Sequence, residues 1–335
     1  MPKMSLTLMV LFGLTLSVVS GCNREEKPAE TRHVEEIALS VTPWPGSAAL
    51  YVAQEKGFFK AEGIKATFHP YDSGHLGLEA VLSRKVDFAT VGDTPIARAA
   101  LEGKPIAVIA TLSEINRAVL IVARKDRGIS SVADLKGKRV GVVVGTTADF
   151  FLHIFLTTSY INPSQVKIIN LRAEEVVDAL VGGEVDAVST WFPHTTEARD
   201  KLGDNALVFE NPSLYKMTWN IVTAKELTNT RPKLVQSVLR AIVRANAFIL
   251  RQPDEAKALT LMHIGAKGPL LEKEWDDYTF TTALDQSLVL NLEDQARWMV
   301  TKRVGATKSP PNFMHFVYTD GMKAVLPEAV GIVHR

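Results

Sequence analysis

Arg139-Val140-Gly141-Val142-Val143-Val144-Gly145-Thr146-Thr147-Ala148-Asp149 decides how this chain is read. The run of β-branched and small residues predicts a buried strand. It breaks at Gly145, where the backbone can turn tightly. Thr146 and Thr147 offer oxygens where a helix would start, and Phe150 to Tyr160 continues with helical apolar spacing. Taken alone, the stretch is first an ordinary strand–turn–helix joint with a threonine cap. It is also a place where free backbone N–H groups and a helix dipole converge on one spot and favour an anion.

The surrounding chain repeats the pattern. Strands are expected at Ile37–Val41, Ile64–Tyr71, Val86–Thr90 and Ile106–Thr111, with helices between them. A second series runs from Val119 through Val166–Leu171 and Val185–Thr190, and Met217–Thr223 is another strand. Alternation at this spacing predicts α/β architecture with largely parallel sheets. Ligands of such sheets bind beyond the carboxyl ends of the strands. Trp44, Pro45, Ser73, Gly74, Asp93, Thr94, Thr146, Thr147, Thr190 and Trp191 all lie at such ends. Each has a plain structural explanation; their shared address is what points to a site. From about Arg231 onward the pattern is mainly helical, with helices expected at 253–264, 272–284, 292–303 and 318–326. Val235, Val238, Leu239, Ile242, Ala245 and Ile249 make one apolar face.

The 335 residues carry a formal charge of +1, which argues against a dedicated nucleic-acid binder. The eight histidines are scattered, no His/Cys spacing suits zinc, and the single cysteine is Cys22. No catalysis, cofactor or metal is therefore expected. Leu6 to Val19 is the apolar centre of a targeting segment, closed by Val19-Ser20-Gly21-Cys22. That ending resembles the lipobox of bacterial lipoprotein signal peptides, which implies cleavage before Cys22 and a lipid on its sulfur. Asn23 to Glu36 has the composition of a flexible tether.

Four markers, in order, carry a further resemblance. Tyr51-Val52-Ala53-Gln54-Glu55-Lys56-Gly57-Phe58-Phe59-Lys60-Ala61-Glu62-Gly63-Ile64 is followed by Val86-Asp87-Phe88 with Gly92-Asp93-Thr94-Pro95. Asp134-Leu135-Lys136-Gly137-Lys138-Arg139-Val140-Gly141-Val142 comes next, then Gly183-Glu184-Val185-Asp186-Ala187 with Trp191-Phe192-Pro193. Together they resemble the periplasmic solute-binding proteins of the nitrate, sulfonate and taurine group, which serve ABC importers. The resemblance implies a two-lobed type II periplasmic-binding-protein fold with a helical C-terminal segment. Its parts would be a signal peptide at 1–21, a lipidated tether at 22–36, lobe 1 at 37–117 plus 223–335, and lobe 2 at 118–222, with hinges near 116–118 and 221–223. It also implies a monomer, on the periplasmic or extracellular face, that delivers a solute to an inner-membrane permease and its ATPase.

The family's cleft carried onto this chain is Trp44, Pro45, Ser73, Gly74, Asp93, Thr94, Thr146, Thr147, Thr190 and Trp191; Trp219 is added for its place near the hinge. The Gly145–Ala148 N–H groups and the threonine hydroxyls would hold an anionic head, and Trp44 and Trp191 would pack on its organic part. Asp93 would either accept from the solute or brace its loop. Phe192 replaces an acidic residue of many relatives, and His194 a tyrosine, which counts against a taurine-type ammonium contact; an organic solute is expected in preference to an inorganic anion. A sulfonate-like anion is the first reading. A neutral or weakly charged heterocycle of pyrimidine or riboflavin type, nitrate, a sensor's ligand and a pyrimidine-synthesis enzyme are the rivals.

Overall fold

The computed structural model describes residues 34–265, 272, 274–302 and 309–333. The expected signal peptide, Cys22 and most of the expected tether lie outside them. Twelve strands form two sheets among the described residues. In chain order they are β1 (Glu35–Val41), β2 (Ile64–Pro70), β3 (Phe88–Gly92), β4 (Ile106–Ile115), β5 (Val119–Arg124), β6 (Arg139–Val142), β7 (Lys167–Asn170), β8 (Ala187–Trp191), β9 (Ala206–Phe209), β10 (Met217–Ala224), β11 (Tyr278–Asp285) and β12 (Val330–Gly331). The larger sheet has the order β12-β11-β4-β10-β3-β1-β2, the smaller β7-β6-β8-β5-β9.

The helices are α1 (Ala48–Glu55), α2 (Phe58–Ala61), α3 (Gly74–Leu82), α4 (Asp93–Leu101), α5 (Thr147–Thr158), α6 (Val176–Gly182), α7 (His194–Leu202), α8 (Lys225–Thr230), α9 (Pro232–Arg251), α10 (Pro253–Ile264), α11 (Gln286–Thr301) and α12 (Thr319–Val325). Pro232 opens α9, where its missing N–H costs nothing. The apolar face expected for α9 is buried, from Val235 to Ile249. Each Val, Leu or Ile of that face contributes about 1.5–3 kcal/mol by leaving water.

Strand direction is more mixed than the alternation predicts. In the smaller sheet β5 alone runs against its neighbours β8 and β9. In the larger, β10 and β11 run against β3 and β4. The reason is connectivity. β4 passes straight into β5, and β9 into β10, so no helix carries the chain back to restore direction.

Two expectations need correcting. The second passage between sheets lies between Phe209 and Met217, because all of β10 pairs within the larger sheet; residues 221–223 are not a junction. And no helix spans 274–284: Trp275–Asp277 is a 3-10 turn and Tyr278–Asp285 is the strand β11, paired with β4. Of the other expected helix ends, residue 303 lies outside the described residues, and α12 opens at Thr319 in place of 318.

Ion pairs tie the joints. Arg139 donates from its backbone N–H, Nε and Nη2 to the Asp186 carboxylate at 2.9, 3.2 and 2.7 Å, fastening the start of β6 to the entry of β8. That guanidinium holds the Asp186 carboxyl below its ordinary range. Arg117, between β4 and β5, pairs with Glu210 at 3.3 Å and Asp277 at 3.2 Å.

Candidate functional site

The carboxyl ends of β1, β2, β3, β6 and β8 each lead into a helical turn, and the expected site residues stand there. Trp44 caps the 3-10 turn Pro45–Ser47, with Pro45 buried in it. Ser73 caps α3, its Oγ accepting from the Leu76 N–H. Gly74 opens that helix, and a side chain there would meet the Val91 Cα at 2.9 Å and the Trp219 ring at 3.2 Å. Glycine is required by this close approach.

The organising stretch folds largely as read, with two differences. Val140 and Val142 are fully buried, but Val144 has left the strand and is largely exposed. Gly145 turns the chain at φ +82°, and Thr146 stands at the N-cap position of α5 without a capping hydrogen bond to its side chain. The second difference concerns donors. The Gly145 N–H donates to the buried Asp149 carboxylate at 2.9 Å, and the Thr146 hydroxyl donates to the Val143 carbonyl at 2.6 Å. A helix that already holds a carboxylate at its N-terminus has less field to offer a ligand.

Thr147 does face a partner. Its hydroxyl donates to the Thr94 hydroxyl at 2.8 Å. Thr94 belongs to α4, after a strand of the larger sheet, and Thr147 to α5, after a strand of the smaller. Two helix N-termini from different sheets therefore meet head to head. Asp93 lies directly behind Thr94 and is fully buried. Its carboxylate accepts from the Thr94 N–H (2.8 Å), the Tyr215 hydroxyl (2.5 Å), the Thr218 N–H (3.1 Å) and Asn291 Nδ2 (2.6 Å). Burial pushes its pKa up, against the opposing pull of these bonds. The Tyr215 hydroxyl is held neutral by burial and by Asp93. The Tyr215 ring in turn sits edge-on to Phe150 of α5, 5.4 Å between centroids.

Beside this junction lies an aromatic cluster. Trp44 is 6.3 Å from Trp219, 5.9 Å from Tyr278 and 6.2 Å from Phe192, the last on the far side of the junction. Tyr278 stacks on Phe280 at 5.8 Å. Trp219 abuts Gly92, the cap of α4, and donates from Nε1 to Ser47 Oγ at 3.0 Å. Trp191 is not part of the cluster. It packs edge-on to His194, and its neighbour Phe192 meets Trp44 instead. Thr190 is fully buried, with no hydrogen-bond partner for its hydroxyl among the described residues.

The sequence reading missed Tyr278, Phe280, Tyr215 and Asn291. A signal existed for the first two: Tyr278, Phe280, Thr282 and Leu284 are buried while Thr279 is exposed and Thr281 and Ala283 are partly so, the period of a strand. Among the described residues no cluster of His, Cys, Asp or Glu could hold a metal, and no helix is long and apolar enough to cross a membrane.

Comparison with known proteins gives the family and the fold. The model of the family described as NMT1/THI5 like matches residues 44–256. A putative aliphatic sulfonates-binding protein of Bacillus subtilis is 28% identical over 256 residues, 75% of this chain and 76% of that protein. The taurine-binding periplasmic protein of Escherichia coli is 28% identical over 208 residues, 61% of this chain and 63% of that protein. The periplasmic aliphatic sulphonate binding protein SsuA from Escherichia coli superposes with a TM-score of 0.72 at 19% identity, covering 85% of this chain and 98% of its own. The periplasmic-binding-protein fold is thus shared, and these relatives are binding proteins.

Proposed function

Since the chain belongs to the NMT1/THI5-like family, we propose that it captures a small organic anion of the sulfonate class between its two sheets and delivers it to an ABC importer. The observation that carries this reading is the Thr147–Thr94 contact. It brings the N-terminal turns of helices from both sheets to one point, where both hydroxyls would serve an anionic head, the helix fields there being shared with the carboxylates of Asp93 and Asp149. The aromatic cluster beside it suits the organic part. Parting of the sheets about 116–118 and 210–216 would admit the solute. Asp93, with four donors of the protein itself, braces this arrangement and does not touch the solute. The relatives' names support an organic sulfonate, and a periplasmic setting is part of the proposal.

The experiment is thermal unfolding of the purified protein against alkyl and aryl sulfonates, taurine, nitrate, pyrimidines and flavins. A ligand at a hundred times its dissociation constant should add about 2.7 kcal/mol. Sulfonates should shift the midpoint, and Thr147→Val, which keeps the shape and removes the hydroxyl, should weaken their binding about tenfold. Unchanged affinity in that variant would remove the head-group site. A second reading, a neutral heterocycle, is favoured by one observation: Asp149 already occupies the Gly145 N–H. A shift with neutral rings alone would select it.

Membrane attachment through a lipid on Cys22 belongs to the same proposal, motivated by Val19-Ser20-Gly21-Cys22. Cys22→Ser should move the protein from the membrane fraction to the soluble one; persistence in the membrane fraction would refute the anchor.

A further inference from the structure

Trp44 Nε1 and the Tyr278 hydroxyl are buried polar atoms without a hydrogen-bond partner among the described residues. Their side chains are 8% and 7% exposed, and their rings meet edge-on at 71°. Buried donors left unpaired are rare in folded proteins. The contrast with Trp219 is informative: it belongs to the same cluster, yet its Nε1 is paired with Ser47. The two unpaired donors also share a significant position. Trp44 touches Phe192, which follows the last residue of β8 in the smaller sheet. Tyr278 begins β11 in the larger.

An indole N–H can only donate. The Tyr278 hydroxyl is held protonated by burial and by the nearby carboxylates of Glu274 and Asp277. Those carboxylates disfavour an anion at this end. They do not disfavour a neutral acceptor. On the sulfonate-class reading the charged head lies at Thr94 and Thr147, and the donors at Trp44 and Tyr278 are free to serve the other end of the molecule. Between the two ends stands Trp219, packed against both Gly92 and Trp44.

We propose that the solute has a second polar end: a neutral hydrogen-bond acceptor on its organic part, such as a carbonyl, ether or ring heteroatom, held by Trp44 Nε1–H and the Tyr278 hydroxyl. A bare alkanesulfonate would leave both donors unpaired in the bound state. This inference rests on the sulfonate-class reading and narrows it to two-ended sulfonates.

The test uses two near-isosteric ligands, 4-acetylbenzenesulfonate and 4-isopropenylbenzenesulfonate, which differ in one carbonyl oxygen. Isothermal calorimetry on the whole protein should find the acetyl compound bound about tenfold tighter. Tyr278→Phe should cut that ratio to about twofold, and Trp44→Phe should reduce the same ratio. Equal binding of both compounds by the unaltered protein would overturn the inference and leave the sulfonate reading standing. Binding of neither compound, with a neutral ring bound instead, would overturn both. The comparison in the unaltered protein does not depend on either variant folding.

Discussion

Asp93→Ala should cost the protein about 3–5 kcal/mol of stability, measured by urea unfolding. The loss does not come from removing a favourable charge. Burial raises the Asp93 pKa, so its ionised form is already disfavoured relative to water. The loss comes from the donors left behind. The Tyr215 hydroxyl, the Thr218 N–H and Asn291 Nδ2 point at this carboxylate from the segment between sheets, the start of β10 and α11. Each buried donor without an acceptor costs about 1–3 kcal/mol. Asp93→Asn keeps the volume and one acceptor and should cost only about 1–2 kcal/mol. A loss below about 1 kcal/mol in the alanine variant would show that these groups find water or other partners.

Glu274→Gln should stabilise the protein at pH 8 by up to about 3 kcal/mol and change little at pH 4.5. Burial, then the Asp277 charge, push the Glu274 pKa up to about 7, with Arg199 of α7 opposing. Below pH 4.5 both folded and unfolded chains hold the proton. Between about 4.5 and 7 the folded chain keeps it while the unfolded chain has lost it. Stability therefore falls as pH rises through that window, and the charge stays a burden above it. Glutamine removes the burden. Urea midpoints of both proteins at pH 4.5 and pH 8 decide the matter: parallel changes in the two would mean that Glu274 is well solvated.

Much of the scaffold was legible because its signals are local. Gly145 with Thr146 announced a turn and a helix start, and the structure has both, though the Thr146 hydroxyl turns back to the Val143 carbonyl instead of capping. The six apolar positions of α9 recur at helical spacing, and all six are buried. The failures came where distant parts decide. Residues 272–284 begin with good helix formers, but β11 exists because β4 offers it an edge. Its alternation was readable; the partner was not. Trp191 and Phe192 are adjacent aromatics at a strand end, and only three-dimensional register selects Phe192 to meet Trp44. Asp149 stands three residues after the cap, a spacing that announces a carboxylate folded back on the turn. That one residue qualifies the proposed anion site.

Arg117 lies in one strand connection between the sheets, and its Glu210 partner lies in the other. A single guanidinium thus pins two leaves of backbone side by side, with Asp277 as the fixed post. If the sheets part as proposed, the two connections bend together about one axis, as a door does on two knuckles sharing a pin. Its exposed ion pairs are weak individually, on the order of 1 kcal/mol or less, so the pin guides the swing without locking it.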